Sequence, residues 1–430
     1  MLIEFTVGNF RSFKEPVTLS MVAAKIKARD PKVNQNNTFK VDEKLTLLTS
    51  AAVYGANASG KSNLVRALAF MRSYVLSSSK ESQSGERVGV IPFRLSKESE
   101  KEPSFFQVVF WLDGLQYRYG FEANQEKIIS EWLFSVPSTK EATLFTRENG
   151  VIKVSTKFKE GKGLEGLTRS NALFLSVAAQ FNGQLAQKIL KWFLQVGMVS
   201  GLDDMLYRNF TVAQFAQGNL RERIIELIRK LDLGIESIFY ETIEKSKVVL
   251  PSNMPEELKS LIFKNVEGGF TTIKTTHKQW DANGKPSETV VFDLNDESDG
   301  TQKLFFLLGP ILDILDNGRV LIIDEMEARL HPLMTRAIIG MFSSPKTNPK
   351  RAQLIFTTHD INLLSNKLFR RDQIWFIEKD HPGRSHLYSL AEIKTVRNDS
   401  SFENDYIQGR YGAIPFLGDI RQETINEEAK

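Results

Sequence analysis

The sequence predicts an α/β fold: a doubly wound, mainly parallel sheet with an antiparallel β lobe, interrupted by a helical insertion. Three observations predict it. An apolar strand, Thr46–Tyr54, runs into a glycine-rich loop and then a helix, Ser62–Leu76. From Thr289 onward, strands and helices alternate regularly. Between these regions, Phe105–Leu112 and Leu115–Glu122 flank Asp113-Gly114, a strong hairpin signal.

The elements follow in order. Leu2–Val7 alternates apolar and polar residues and reads as a first strand. The Ser62–Leu76 helix carries Leu64, Ala67, Leu68 and Met71 on one face. Ser77–Pro103 is polar and reads as loop, with a short strand at Val88–Phe93; more short strands fit between Ile128 and Thr156. Asn182–Val196, Val212–Leu231 and Pro255–Phe263 read as helices, closed off by a turn at Asp281-Ala-Asn-Gly-Lys-Pro286. Then come strand Thr289–Leu294, helix Thr301–Leu315, strand Val320–Ile323, helix Pro332–Phe342, strand Gln353–Thr357, a further helix, and strand Gln373–Glu378. The expected organisation is a first half at 1–177, a helical insertion or lid at 178–287, a second half at 288–420 and a polar tail at 421–430.

Composition narrows the chemistry. The 430 residues are 41% hydrophobic and 25% charged, which is globular composition with room for a sizeable core. The absence of cysteine excludes a disulfide scaffold, a thiol nucleophile, an iron–sulfur centre and cysteine-bound zinc. A net charge of +4 permits contact with nucleic acid without announcing it. Met1–Gly8 lacks the basic start of a signal peptide, and the longest apolar run, Leu304–Leu312, is broken by Gly309 and Pro310. The expectation is a cytoplasmic protein with no membrane partner.

Gly55-Ala56-Asn57-Ala58-Ser59-Gly60-Lys61-Ser62 matches the phosphate-binding P-loop at every required position, between a strand and a helix. Backbone N–H groups from Gly55 to Asn63 are placed to surround phosphates at a helix N-terminus. Lys61 suits the β- and γ-phosphates, and Ser62 suits Mg²⁺. The apolar strand Val320–Ile323 ends in Asp324-Glu325, where open α/β sheets bind ligands. Asp324 suits the metal shell and Glu325 an attacking water. His359, in Thr357-Thr358-His359-Asp360, ends the next strand and is placed to sense the γ-phosphate; alone, such a histidine is an ordinary loop residue. Ser298-Asp299-Gly300 opens an apolar helix and is a second anion site, or simply a helix cap.

In this order the motifs resemble those of ABC-class ATPase heads. Asn9-Phe10-Arg11-Ser12-Phe13 is similar to the opening of the RecF, SMC and OLD-like branch. Asp324-Glu325-Met-Glu-Ala-Arg-Leu-His331-Pro332 and Gly409-Arg410-Tyr411-Gly412-Ala-Ile-Pro415 resemble stand-alone AAA/ABC-type ATPases of prokaryotic abortive-infection and phage-defence operons. The resemblance implies an ABC-ATPase head that binds ATP and Mg²⁺ and hydrolyses ATP through Glu325, His359 and Lys61. It also implies two heads sandwiching ATP, with Lys61 and Ser62 of one facing Ser298 and Gly300 of the other, and Arg11 and Ser12 near the nucleotide. Asp299 replaces one of the two signature glycines, which places a carboxylate near the γ-phosphate unless it turns away. No residue is assigned to the family's glutamine loop.

Two functions fit this reading. The first is an ATP-gated switch that forms a homodimer or higher oligomer and controls a separate effector from the same operon, in anti-phage defence. The second is a RecF-like ATPase that binds DNA for repair, through basic stretches such as Lys25-Lys27-Arg29-Lys32, Arg221-Arg223 with Arg229-Lys230, and Lys346–Arg351. The small net charge weighs against DNA as the main partner. The 178–287 insertion is where partner specificity is expected, or else a lid that completes the fold.

Overall fold

The computed structural model describes residues 1–80, 83, 85–137, 140–231, 234–244, 255–257, 269–397 and 400–415. Along the chain run β1 (Leu2–Gly8), β2 (Val17–Ser20), α1 (Pro31–Asn37), β3 (Thr38–Lys40), β4 (Thr46–Leu48), β5 (Ser50–Tyr54) and α2 (Lys61–Ser77). The hairpin strands β6 (Ser104–Leu112) and β7 (Leu115–Ala123) follow, then β8 (Ile128–Val136), β9 (Ala142–Glu148), β10 (Val151–Val154), α3 (Phe174–Gln180) and α4 (Gln184–Leu194). Next are β11 (Gly197–Ser200), α5 (Met205–Ala216), α6 (Arg221–Lys230), β12 (Ser237–Ile243), β13 (Phe270–Trp280) and β14 (Pro286–Asp293). The last stretch holds α7 (Asp299–Asn317), β15 (Val320–Asp324), α8 (Pro332–Ser343), β16 (Gln353–Thr357), β17 (Ile374–Lys379), β18 (Ser385–Ser389) and α9 (Phe402–Ile407).

Two large sheets carry the molecule. The order β11-β15-β16-β5-β17-β18 forms the central sheet, parallel except for β18, and β10-β9-β8-β7-β6-β1-β2 forms an antiparallel lobe. The central strands are apolar on both faces because both faces are covered. Ala51, Val53, Val320, Ile322 and Ile355 point into one core, shared with α2, α3, α4 and the antiparallel lobe. Their neighbours Ala52, Tyr54, Leu321, Ile323, Leu354 and Phe356 point into the other, beneath α5, α6, α7 and α8. This is the expected α/β architecture with its antiparallel lobe.

Several local expectations are corrected. Thr46–Tyr54 is two strands: β4 pairs with β3, and after Thr49 the chain enters the central sheet as β5. No strand forms at Val88–Phe93, although Val88, Val90 and Phe93 are buried. Val212–Leu231 is split into α5 and α6 at Gly218, whose φ of +88° ends the first helix. Between β16 and β17 there is no α-helix but two 3₁₀ turns, Ile361–Leu363, capped by Asp360, and Arg371–Gln373. Pro255–Phe263 lies largely outside the described residues, as does the 421–430 tail.

The 178–287 stretch is mixed rather than helical. Its helix α4 buries Ile189, Trp192 and Phe193 in the first core, and Trp192 stacks on Phe110 of β6 with ring centroids 4.4 Å apart. Strand β11 pairs in parallel with β15 and so belongs to the central sheet. Strands β12 and β13 join β14 in an antiparallel sheet of three. The β-branched run in Phe270–Trp280 favours a strand, and the Asn-Gly turn joins it to β14. No helix among the described residues is long and apolar enough to cross a membrane.

Candidate nucleotide site

Parallel pairing places the ends of β5, β15 and β16 side by side, so three separate sequence motifs converge. A cavity of about 540 Å³ lies there, lined by Asn57 to Asn63, Arg66, Glu325, His359 and Lys379. The loop from β5 enters α2 through Gly60, at φ +119°, a conformation that favours glycine. The first turn of α2 thereby borders the cavity, with the N–H groups of Lys61 and Ser62 at the helix N-terminus and Asn63 N bonded to Gly60 O at 3.0 Å.

Lys61 is buried, and its Nζ donates to Gly55 O at 2.8 Å and Ala56 O at 3.1 Å. Of its three N–H donors, one remains for a phosphate oxygen. Burial pushes this ammonium down to about 8, against the pull of Glu327, Glu325 and Asp324. Ser62 Oγ donates to Asp324 Oδ1 at 3.3 Å. Asp324 Oδ1 also accepts Thr357 Oγ1 at 2.6 Å. Hydroxyl and carboxylate oxygens at this spacing form a hard donor set that fits Mg²⁺. Glu325 follows at φ +53°, an uncommon backbone state for a non-glycine residue, and lines the cavity. His359 is held down from its ordinary value by burial and by Lys61, against Glu327, Glu325 and Asp324.

The predicted residues thus divide. Lys61, Ser62, Glu325 and His359 meet at one cavity, with Asp324 bonded to Ser62 beside it. Ser12 braces the loop from behind: its Oγ accepts Asn63 Nδ2 at 2.9 Å, and its carbonyl accepts Ser385 N at 2.8 Å. Ser385 Oγ in turn donates to Ser59 O at 2.5 Å. Arg11 lies beside this brace at φ +52°, and its Nε is buried without a partner among the described residues. Burial and the nearby Arg66 and Arg94 lower its guanidinium from the usual value. Ser298 and Gly300 lie apart from the cavity, at the start of α7, where Ser298 Oγ accepts Thr301 N at 3.2 Å and Gly300 packs on Arg329 O. Asp299 is exposed in the first turn of α7, where the helix dipole favours its charge.

Two contributors escaped the sequence reading. Thr357 bridges Asp324 and the Glu325 backbone, and it is nearly fully buried. Gly201 follows β11, whose Ser200 is in register with Asp324, and donates to Asp324 O at 2.6 Å. Its only sequence signal was a Ser-Gly pair directly after a short apolar run.

Residues 50–365 match the family described as "AAA domain, putative AbiEii toxin, Type IV TA system", over well more than half of the chain. The chain belongs to this AAA-domain family. Its P-loop ATPase core is the central sheet with the cavity at its carboxyl edge. Among solved structures, the AAA-domain chain is similar to the SMC head domain from Thermotoga maritima at 14% identity and a TM-score of 0.37, covering 90% of this chain and 98% of that one. It is also similar to cbiO1 from Clostridium perfringens, part of the ABC transporter complex cbiONQ, at 11% identity and a TM-score of 0.28, covering 83% and 88%. No curated protein matches the AAA-domain chain.

Proposed function

We propose that the protein binds and hydrolyses Mg-ATP as a switch that assembles through its nucleotide sites and controls a separate effector in anti-phage defence. The convergence of Lys61, Ser62, Glu325 and His359 at one cavity, with Asp324 bonded to Ser62 beside it, carries this reading. The α2 N-terminus and Lys61 bind the triphosphate; Ser62 and Asp324 would hold Mg²⁺, which would supply neutralisation of phosphate charge. Glu325 orients water toward the γ-phosphorus, and His359 stands at the cavity rim to contact the γ-phosphate.

Assembly is supported by the position of the signature turn. Ser298 and Gly300 do not line the cavity of their own chain, so a second copy would bring them to it. Control by a partner is supported by Glu297, directly before that turn. Its Oε1 accepts Thr275 Oγ1 at 2.5 Å and lies 2.6 Å from His277 Nε2. Both partners are on β13, so load on the β12–β14 sheet would act directly on the signature turn. The family's description, with its toxin–antitoxin system, supports a role in defence.

The DNA-binding alternative loses one of its basic stretches. Arg221 donates to Phe215 O and Ala216 O, Arg223 pairs with Asp316 at 2.6 Å, Arg229 donates to Glu236 O, and Lys230 pairs with Glu226 at 2.6 Å. The test of the switch reading is co-purification with the product of the neighbouring gene. Wild type, Lys61→Ala and Glu325→Gln should retain it to different extents. Equal retention by all three would show that nucleotide does not gate the partnership.

A further inference from the structure

Glu327 has no part in the scheme above, yet it occupies the space between the two catalytic strand ends. Its Oε1 accepts the backbone N–H of His359 at 2.5 Å, across 32 residues of sequence. Its Oε2 is buried without a hydrogen-bond partner among the described residues. A buried carboxylate oxygen without a donor is costly, and such a group persists where a function needs it. Among the acids acting on Lys61, Glu327 exerts the largest effect, ahead of Glu325 and Asp324.

The loop that carries Glu327 is itself clamped. Lys303, buried in α7 one turn beyond Gly300, directs its Nζ to Met326 O at 3.3 Å and to Ala328 O. These carbonyls flank Glu327 on either side, and Leu330 N closes the loop onto Glu327 O at 2.8 Å. A lysine ammonium has three donors and no acceptor, so backbone carbonyls are a natural anchor for it. The connected series therefore runs from α7 through Lys303 to the 325–330 loop, and from Glu327 to His359.

We propose that Glu327 and Lys303 are positioning residues for ATP hydrolysis: Lys303 fixes the loop bearing Glu325 and Glu327 to the signature helix, and Glu327 holds the His359 backbone at the rim of the phosphate cavity. This rests on the ATPase reading above. Neither residue is needed to hold the triphosphate, so their loss lowers turnover and leaves nucleotide affinity in place.

The experiment compares wild type with Glu327→Ala, Glu327→Gln and Lys303→Met. It measures steady-state ATP turnover, ATP affinity by calorimetry, and hydrogen exchange of the peptide containing the His359 amide. Glu327→Ala should lower turnover at least tenfold with ATP affinity within about threefold, equivalent to about 1.4 kcal/mol placed on the reaction step. Glu327→Gln, whose amide oxygen accepts the same N–H, should recover most of that loss. Exchange at His359 should quicken in the alanine variant and stay protected in the glutamine variant. Lys303→Met should lower turnover, again at constant affinity, and quicken exchange across residues 326–330. Unchanged turnover in Glu327→Ala, a parallel loss of affinity, or a glutamine variant as impaired as alanine would overturn the assignment. If wild type proves not to hydrolyse ATP, the ATPase reading fails instead. The His359 exchange then decides this one, and equal exchange in wild type and Glu327→Ala would refute it.

Discussion

Thr357 Oγ1 donates to Asp324 Oδ1 at 2.6 Å while accepting the Glu325 amide at 2.8 Å. One buried hydroxyl on β16 thereby fixes both acids at the end of β15: the carboxylate proposed for Mg²⁺ and the backbone that aims the proposed water-orienting carboxylate. Thr357→Val keeps the shape and removes both bonds, a loss of about 1–3 kcal/mol for a buried hydroxyl with charged and backbone partners. Turnover should fall about tenfold or more, and the Mg²⁺ concentration for half-maximal rate should rise. Thr357→Ser should restore both in a magnesium titration.

Lys61 and Ser298 separate binding from assembly. Lys61→Ala removes the buried cation at the start of α2, leaving only Arg66 and Lys379 among the cavity's lining cations, so nucleotide binding should fall by at least tenfold in calorimetry. Ser298→Arg should leave binding in place, because the turn lies outside the cavity, and abolish ATP-dependent growth in mass measured by light scattering.

Gly201 tests how tightly β11 is held against the acidic strand end. A Cβ there would stand 1.8 Å from Glu325 O, a contact no rotamer relieves. Gly201→Ala should lower both turnover and melting temperature. Gly340, inside α8 with no atom near its Cβ direction, is the control. Gly340→Ala should raise stability by about 0.5–1 kcal/mol, as expected for replacing a glycine within a helix, without changing turnover.

Lys303 gives a signed pH dependence. Burial lowers its ammonium from 10.5 to about 8, so between those values the unfolded chain binds a proton that the folded one has released. This group therefore adds to stability as pH rises through that window. The melting temperature of Lys303→Met relative to wild type should be most favourable near pH 7 and decline toward pH 10. A difference that is flat with pH would contradict the burial of a titrating ammonium at this position.

The phosphate loop and the acidic strand end were legible because each is a contiguous run whose chemistry is carried by residue type and spacing. Long-range partners were not. Glu327 differs from any surface acid only through the His359 amide, and Thr357 only through Asp324 across the sheet. The Thr46–Tyr54 stretch looked like one strand because apolar continuity does not record a change of sheet at Thr49. Ile361, Leu363 and Leu364 are apolar and follow a helix-like capping aspartate, yet the chain forms only short turns up to Gln373, with Ser365 and Asn366 breaking the pattern. Strand β13 is rich in threonine and could have been read from composition, but its place beside the signature turn depends on Thr275 and His277 reaching Glu297.

The most direct measurement of the central claim is ATP turnover by wild type and Glu325→Gln, with ATP affinity measured in the same preparations. Wild type should hydrolyse ATP in a magnesium-dependent manner. Glu325→Gln should bind ATP as tightly and turn it over at least a hundredfold more slowly, about 2.7 kcal/mol on the barrier. Turnover by Glu325→Gln equal to wild type would contradict the assignment of this carboxylate to the reaction.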